Sequence, residues 1–279
     1  MSVINTNVKS IVAQNAMTAN NRSMNKAMEQ LSTGTRINSA SDDAAGLAIA
    51  NKMTSQIRGL NQAVRNANDG ISMIQTAEGA TKEITNMLQR MRELAVQAAN
   101  DTNTTDDRTA LKAEVTQLSE EITRIATNTT WNGMKLLDGT KFATASAAAN
   151  FMVGANSGDS AITVTFKNLQ VGSAGLAIGT LALSAAAGAK TAIGTIDTAL
   201  KAVDTFRADL GAKINRLTYA GDNLANVSQN TSESRSRIKD TDYATATTEL
   251  ARTQIISQAA TAMLAQANQA PQSVLSLLR

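Results

Sequence analysis

The sequence contains no histidine and no cysteine, and each absence removes a class of chemistry. Without an imidazole or a thiolate the chain can form neither a Ser-His-Asp triad nor a cysteine nucleophile, and it lacks the ligands of an ordinary zinc site. Catalysis by carboxylates alone is still chemically open, but no pair of acidic residues lies in a glycine-rich or aromatic context. We therefore expect a protein that is not an enzyme and that has no cofactor and no metal.

Aromatic residues make up only 3% of the chain, and no apolar run approaches the ~20 residues of a membrane span. Lys and Arg are scattered and the net charge is only +3, so neither a nucleic-acid groove nor insertion into a membrane is expected. Residues 1–17 lack the continuous apolar stretch of a secretory signal peptide. The many small and polar residues favour close packing of helices over a thick globular core.

The stretch from Ser41 to Ala99 has the strongest pattern. Its apolar residues are spaced alternately by three and four, which predicts a helix with one narrow buried seam, and they are Ile49, Met53, Ile57, Leu60, Val64, Ala67, Ile71, Ile74, Ile84, Leu88, Met91, Ala95 and Ala98. At ~1.5 Å per residue this helix would be about 85 Å long, so it needs a long partner helix. We expect Ser41 to cap it, with Asp42 and Asp43 at the positive end of its dipole.

Two features could interrupt this long helix. Three glycines in its interior, Gly59, Gly70 and Gly79, each cost about 1 kcal/mol relative to alanine, which indicates close approach of a neighbour or a bending point. The sequence Asn68-Asp69-Gly70 could form a turn that splits the helix. The seam also slips in phase between Ile74 and Ile84, as at a stammer in a coiled coil.

The same spacing returns from Ile193 to Val227, and we expect this segment to be the long partner. We expect a shorter helix to start at Thr105-Asp106-Asp107, which repeats the capping pattern of Ser41-Asp42-Asp43. It should fold back antiparallel on the long helix, because their connection is only a few residues. The polar stretch 228–236 is expected to break the second seam, and Asp240-Thr241-Asp242 to start another helix.

The middle of the chain has the only β-like patterns. Turns at Trp131-Asn132-Gly133 and Asp138-Gly139 bracket Met134–Leu137, and the segments 151–155 and 162–166 should form a hairpin. We expect surface loops from there to Lys190. The fold class is thus mainly α: a long antiparallel coiled-coil helical hairpin formed by N- and C-terminal segments, with a small β-hairpin region in the middle at about 131–190.

The two ends of the chain are amphipathic and have no long seam left to pack against inside the molecule. Pairing them with each other would still leave apolar faces unsatisfied, which indicates burial between subunits. Residues 1–43 with 236–279 should therefore form a terminal domain, and 44–235 a long-helix domain. The expected polymerisation surface comprises Val8, Ile11, Val12, Met28, Leu31, Leu250, Ile255, Met263, Leu264, Val274, Leu275 and Leu278.

Three long motifs resemble bacterial flagellin, in the order found in that family. Residues 31–50 resemble its N-terminal signature, 131–137 resemble its Phe-Asn-Gly turn with Trp131 in place of Phe, and 262–269 resemble its C-terminal signature. The resemblance implies a subunit that self-assembles into the helical, hollow flagellar filament used for swimming. It also implies that the terminal helices form the inner layer, with the C-terminal helix lining the channel. The short middle segment is typical of a minimal flagellin with little or no outer domain.

The resemblance also implies partners and a location. It implies type III export of the unfolded chain to an extracellular flagellum, with an export chaperone on the C-terminal helix, and contacts with the filament cap and hook-filament junction proteins. Residues 89–97 match the family segment recognised by Toll-like receptor 5, which gives as candidate contacts Gln89, Arg90, Glu93, Leu94 and Glu114. These charges could equally be solvated or lie between subunits. A flagellin-like hook-filament junction protein and a non-flagellar coiled-coil scaffold are the alternative functions.

Overall fold

A computed structural model describes residues 6–142, 148–156, 158–159, 161–172 and 175–276, with side chains described as far as residue 269. The elements are α1 (Val8–Thr33), α2 (Ala44–Ala98), α3 (Thr105–Asn128), β1 (Thr130–Trp131), β2 (Met134–Lys135), β3 (Ala149–Met152), β4 (Ala161–Val164), α4 (Ala186–Lys239) and α5 (Tyr243–Ser276). The predicted fold class is confirmed: the chain is mainly α, with two small antiparallel strand pairs. No helix in this described part combines the length and the apolar character that a membrane span requires.

The chain divides into two compact units, of which the first contains 1–55 and 230–279 and the second contains 56–229. The boundaries fall inside α2 and α4, about one to three helical turns away from those expected from the sequence. We refer to them as the terminal unit and the central unit.

In the central unit α2 and α4 run antiparallel. Ser228 Oγ lies 2.9 Å from Asn61 Oδ1, and Arg92 Nε donates to Asp197 Oδ1 at 2.6 Å. From the first contact to the second, the contacting residue moves forward along α2 and backward along α4 by the same number of positions. This is expected for antiparallel helices that keep one register. The segment 193–227 is therefore the long partner that the first seam requires.

The α2 seam keeps its phase. Ala77 and Thr81 are fully buried and fill the interval between Ile74 and Ile84, so the expected phase slip is wrong. Thr81 tolerates burial because its hydroxyl donates to the Glu78 carbonyl at 2.8 Å. Small residues continue the seam across the interval that has no large apolar side chain.

Two glycines in α2, Gly59 and Gly70, allow neighbours to approach closely, and the helix runs unbroken through both of them and through Gly79. A Cβ at Gly70 would lie 2.9 Å from Cδ1 of Phe151, and one at Gly59 would lie 3.0 Å from Cβ of Ala155. The close-approach interpretation therefore holds for these two, although the neighbours belong to the β3 region and not to a helix. A Cβ at Gly79 would have nothing within 4 Å. The turn considered at Asn68-Asp69-Gly70 does not form.

Helix α3 folds back antiparallel on α2 as predicted. The Arg108 Nε donates to the Ala98 carbonyl at 3.0 Å, and Val115, Ile122 and Ala126 are buried in the core shared with α2 and α4. Its cap is Thr104, whose side chain accepts from the Asp107 N–H, and not the residue that follows.

The middle of the chain forms two hairpins. β1 and β2 meet at a turn in which Asn132 and Gly133 have φ of 47° and 73°, the signs that a type I′ turn requires. β3 pairs with β4 from Ala149↔Val164 to Met152↔Ala161, so β3 starts two residues before the predicted segment.

The expectation of surface loops as far as Lys190 is wrong. The irregular segment after β4 has buried apolar side chains at intervals, and these side chains belong to the central core. They are those of Phe166, Leu169, Val171, Leu176, Ile178 and Leu183. Helix α4 then starts at Ala186 and continues through 228–236, where the sequence predicted a break.

In the terminal unit, α1 and α5 pair antiparallel. Asn7 Nδ2 donates to the Ala267 carbonyl and Asn20 Nδ2 to the Thr253 carbonyl, both at 2.8 Å. Close to the start of α5 the connector after α1 is pinned by a bond from the Thr241 N–H to the Gly34 carbonyl at 3.1 Å. Gly34 has φ of 69°, which closes α1 with a left-handed residue.

The start of α2 is capped differently from the prediction. Asp43 Oδ1 accepts the Gly46 N–H at 2.8 Å, so Asp43 is the cap and Ser41 is not. Asp42 instead accepts the N–H groups of Asn38 and Ser39 and an ion pair from Lys26 at 2.9 Å. The hydrogen bond from Lys26, followed by those two backbone bonds, lowers the pKa of Asp42 from 3.8 to about 2.

Candidate self-association and recognition surfaces

Helix α1 has two faces with different contents. The residues that are at least partly covered recur by three and four and include Ala13, Met17, Asn20, Met24, Ala27 and Leu31, with Ala27 alone fully buried. The large apolar residues Val8, Ile11 and Val12 lie off this line and are exposed, Val12 to 62%. Apolar residues that the sequence placed in one group therefore separate into an inner seam and an outer face.

Helix α5 shows the same division. Its covered positions are mostly small, namely Ala246, Thr253, Ser257, Ala260 and Ala267, together with Leu250 and Leu264. Ile255 and Met263 are 66% and 61% exposed, and Ile256 is exposed beside them. Small residues allow the two helices to approach closely, but their burial contributes little because each removes little apolar area from water.

Of the twelve residues predicted for polymerisation, six lie on the outer faces: Val8, Ile11, Val12, Met28, Ile255 and Met263. Leu31, Leu250 and Leu264 are half-buried. Val274 and Leu275 belong to α5 with side chains outside the described residues, and Leu278 lies outside them altogether. Sequence reasoning missed Ile256, which lies next to Ile255, because it assigned only one apolar seam to each helix.

An open apolar groove runs between the two helices near the end of the pair. It has a volume of about 640 Å³ and is lined by Val8, Val12, Ala13, Met263 and Ala267 among others. Among the described residues that line the groove, Lys9 is the charged one. Its shape and chemistry suit an apolar side chain of another helix.

A second surface lies on the central unit, where α2 and α3 present charged side chains. Arg90 donates from Nε and from one terminal nitrogen to Glu114 Oε1 at 3.1 and 3.0 Å, and from its other terminal nitrogen to Glu93 Oε2 at 3.1 Å. Glu93, and then Glu114, raise the pKa of the Arg90 guanidinium above its ordinary value. All three side chains are about half exposed, so the cluster is a solvated ion-pair network.

The structure separates the five residues expected at this surface. Gln89, Arg90, Glu93 and Glu114 are exposed. Leu94 is only 2% exposed and belongs to the central core, as does the fully buried Met91, so the segment from Gln89 to Leu94 is not exposed throughout. Sequence reasoning missed the neighbouring pair of Arg92 with Asp197, because nothing in the sequence gives the register of α4 against α2.

The described residues contain no cluster of three or more acidic side chains placed to hold a metal ion. The two surfaces consist of apolar side chains on one unit and of paired charges on the other. Such an arrangement supports association with other macromolecules and contains no recognisable catalytic group.

Comparison with known proteins identifies two family regions. A family described as the bacterial flagellin N-terminal helical region matches residues 4–142, and one described as the bacterial flagellin C-terminal helical region matches residues 193–278. Together these cover all of α1 to α3, most of α4 and all of α5.

Relatives match over their whole length. The chain is 49% identical over 277 residues to a flagellin of Halalkalibacterium halodurans, covering 99% of this chain and 100% of that one. It is 37% identical to flagellin C of Vibrio cholerae, covering 99% of each chain. That alignment is 377 positions long, so the Vibrio protein carries residues without a counterpart here.

Two solved structures are similar. The crystal structure of Bacillus cereus flagellin is 36% identical with a TM-score of 0.50, covering 57% of this chain and 88% of that one. A putative flagellar hook-associated protein from Vibrio parahaemolyticus has a TM-score of 0.59 and covers 71% of this chain and 100% of that one. At 15% identity the second likeness shows a shared fold alone.

Proposed function

The chain belongs to the bacterial flagellin family, and we propose that its copies associate through the outer faces of α1 and α5. Flagellin is the structural subunit of the flagellar filament, an extracellular assembly used for motility, and it is not an enzyme.

One observation carries this proposal: the fully buried residues of α1 and α5 are small, whereas several of their large apolar side chains are exposed, namely Val8, Ile11, Val12, Ile255 and Met263. Burying an exposed valine, isoleucine or methionine fully is worth about 1.5–3 kcal/mol, whereas the contacts of Ala27 or Ala246 are worth far less. Two paired helices with so little covered apolar area gain most of their stability by burying the outer faces elsewhere. A second copy offers the same faces, as expected for a self-assembling subunit.

Removal of α5 tests the proposal. A chain lacking 243–279 should stay monomeric and soluble under conditions in which the full chain forms filaments, as measured by sedimentation and electron microscopy. Filaments formed by the shortened chain would contradict it.

We also propose the layers of the assembly. Residues 1–43 with 236–279 form the inner layer and 44–235 surround it, with the exposed Gln254, Gln258 and Gln269 lining the channel. Their amide side chains are polar and uncharged, which suits a wet interior surface. A glutamate at one of these positions should leave filaments intact, and a filament reconstruction should show the new side chain facing the channel; its location between subunits would contradict this assignment.

The proposed partners bind the same outer faces of the terminal helices. We propose type III export of the unfolded chain, with an export chaperone binding the outer face of α5, and contacts of the assembled chain with filament cap and hook-filament junction proteins. The absence of cysteine supports export, because no disulfide has to be broken before the chain passes unfolded. Loss of chaperone binding on substitution of Ile255 and Met263, with α5 still helical, is the expected result; unchanged binding would contradict it.

For the charged surface we propose recognition by Toll-like receptor 5 through Gln89, Arg90, Glu93 and Glu114, with Leu94 supporting the surface from the core. The exposed guanidinium held between two carboxylates supports this role, because arginine is common at the centre of interfaces. Monomers with Arg90→Ala and Glu114→Ala should signal about tenfold more weakly in receptor-bearing cells, a loss of about 1.4 kcal/mol. Arg92→Ala is the matched control and should signal normally; equal potency of all variants would refute the assignment.

A further inference from the structure

The chain contains three dipeptides in which Asp or Asn precedes Gly: Asp69-Gly70, Asn132-Gly133 and Asp138-Gly139. In such a pair the backbone nitrogen of glycine can bond to the side-chain carbonyl carbon of the preceding residue and so close a ring. Glycine leaves that nitrogen unhindered because it has no Cβ. Whether the ring closes in a folded protein depends on the freedom of the side chain and of the glycine N–H, and the three sites differ in both.

In the pair Asn132-Gly133, the two reacting groups, the Asn132 side chain and the Gly133 N–H, are not held by hydrogen bonds among the described residues. This pair forms the two-residue turn between β1 and β2, and both residues are exposed. A Cβ built on Gly133 would have nothing within 4 Å.

The pair Asp138-Gly139 is held by its surroundings. Asp138 is 7% exposed, and its Oδ1 accepts the N–H and the hydroxyl of Thr140 at 3.0 and 2.7 Å. A Cβ on Gly139 would lie 2.8 Å from that of Asn168, so the turn has little room to move. Burial opposes ionisation of Asp138, but the bonds from Thr140 and the charge of Lys135 outweigh it and lower the pKa, which keeps the carboxyl in its less electrophilic ionised form.

The pair Asp69-Gly70 lies within α2, where the backbone N–H groups bond to carbonyls one turn earlier. Gly70 is buried against Phe151. Ring closure at this pair requires local unfolding of the helix.

We propose that Asn132 is a self-modification site, at which the folded chain deamidates without an enzyme. The Gly133 nitrogen attacks Cγ of Asn132, a C–N bond forms, the Cγ–Nδ2 bond breaks, and the Gly133 proton leaves with the amide nitrogen as ammonia. Water then adds across one of the two C–N bonds of the cyclic imide and opens it to aspartate or isoaspartate. One water is consumed, one ammonia is released, and nothing is oxidised or reduced.

The modification acts on the neighbouring core. An isoaspartate routes the main chain through Cβ and Cγ and so adds an atom to a turn that joins strands of two residues each. The pairing Trp131↔Met134 cannot keep its register across the longer turn. Trp131, the only tryptophan, packs at the edge of the central core, and its environment should change with the modification.

Incubating the full folded chain in mildly alkaline heavy-oxygen water tests the proposal by peptide mapping. Heavy oxygen should enter at residue 132, with ammonia released in equal amount and Trp131 fluorescence changing at the same rate. In denaturant all three dipeptides should react. Folding should slow the reaction at Asp69 and Asp138 by at least about tenfold, because these sites must first open, and should change the rate at Asn132 only a few-fold.

Asn132→Gln is the matched control, because it keeps an amide in the turn but closes a larger and slower ring. It should show neither label at 132 nor the fluorescence change, with an unchanged circular dichroism spectrum. Before any incubation, Asn132→Asp carries the charge without the extra main-chain atom and should have the fluorescence of the unmodified protein. An unmodified Asn132 in the folded chain under conditions that convert the unfolded chain would overturn the proposal, as would equal labelling of Asn132→Gln.

Discussion

The outer faces of α1 and α5 can be weakened without altering the fold of one subunit. Val12→Thr and Met263→Gln nearly preserve side-chain volume, and both positions line the groove between the helices. Each native side chain has about three-fifths of its surface left to bury, which corresponds to roughly 1–2 kcal/mol per residue. The double variant should therefore associate more weakly by about 2–4 kcal/mol per subunit.

Since 1.4 kcal/mol is a factor of ten in an equilibrium constant, the critical concentration for filament formation should rise roughly thirty-fold to several-hundred-fold. Sedimentation of a dilution series, with electron microscopy of the pellets, measures it. Circular dichroism checks that the monomer keeps its helices, as expected because valine and threonine have similar helix propensities.

Met152→Gln is the matched control, since Met152 is 39% exposed on β3 and undergoes the same chemical change. It should leave the critical concentration within a few-fold of the wild type. Assembly of the double variant at the wild-type concentration would refute the reasoning, and so would an equally large effect of Met152→Gln.

Three further predictions concern stability. Gly79→Ala should stabilise the chain by up to about 1 kcal/mol because the site is open and helical. Gly70→Ala should destabilise it by about 1–2 kcal/mol because its methyl group meets Phe151. Thermal unfolding of both variants measures the difference, and equal effects would contradict this prediction. Leu94→Ala should lower the free energy of unfolding by about 2–5 kcal/mol because it leaves a cavity, and Arg90→Ala should lower it far less because its ion pairs are solvated. Urea unfolding measures both, and the reverse order would show that Leu94 is not in the core. The pKa of Asp42 is about 2 in the folded chain and 3.8 in the unfolded chain, so its contribution to stability is present above pH 3.8 and is lost as the pH falls towards 2. The wild type should therefore lose more stability over this pH range than Asp42→Asn. Parallel profiles of stability against pH for the two proteins would contradict the assignment.

Several failures of sequence reasoning have one cause, which is that hydropathy does not measure available space. Thr81 and Ala77 are fully buried, so small side chains occupy seam positions that a hydropathy pattern assigns only to large apolar residues. The segment after β4 lacks a periodic pattern, yet it buries Phe166 and Leu183 because an irregular chain can direct side chains inward at unequal intervals. The polar stretch 228–236 continues as helix, since Ser228 is buried with its hydroxyl bonded to Asn61.

The predicted helix caps are wrong by one or two residues for a related reason. Ser41, Asp42 and Asp43 are all good capping residues, and so are Thr104 and Thr105. Only the path of the preceding connector decides which of them reaches the free N–H groups. At α2 that path is set by Asp42 holding Asn38 and Ser39, which leaves Asp43 to cap.

The sequence by itself determined the long helices, their antiparallel pairing, the hairpin turns and the family, because periodic spacing and long motifs are local properties of the chain. Only the tertiary structure decided which apolar side chains remain uncovered. Val12 and Met24 are equally plausible seam residues by spacing, but α5 covers one side of α1, so Met24 is partly buried and Val12 stays exposed. Leu94 and Arg90 lie one helical turn apart, and packing against α3 and α4 places the first in the core and leaves the second at the surface. Burial depends on what lies opposite each residue, and a single sequence does not contain that information.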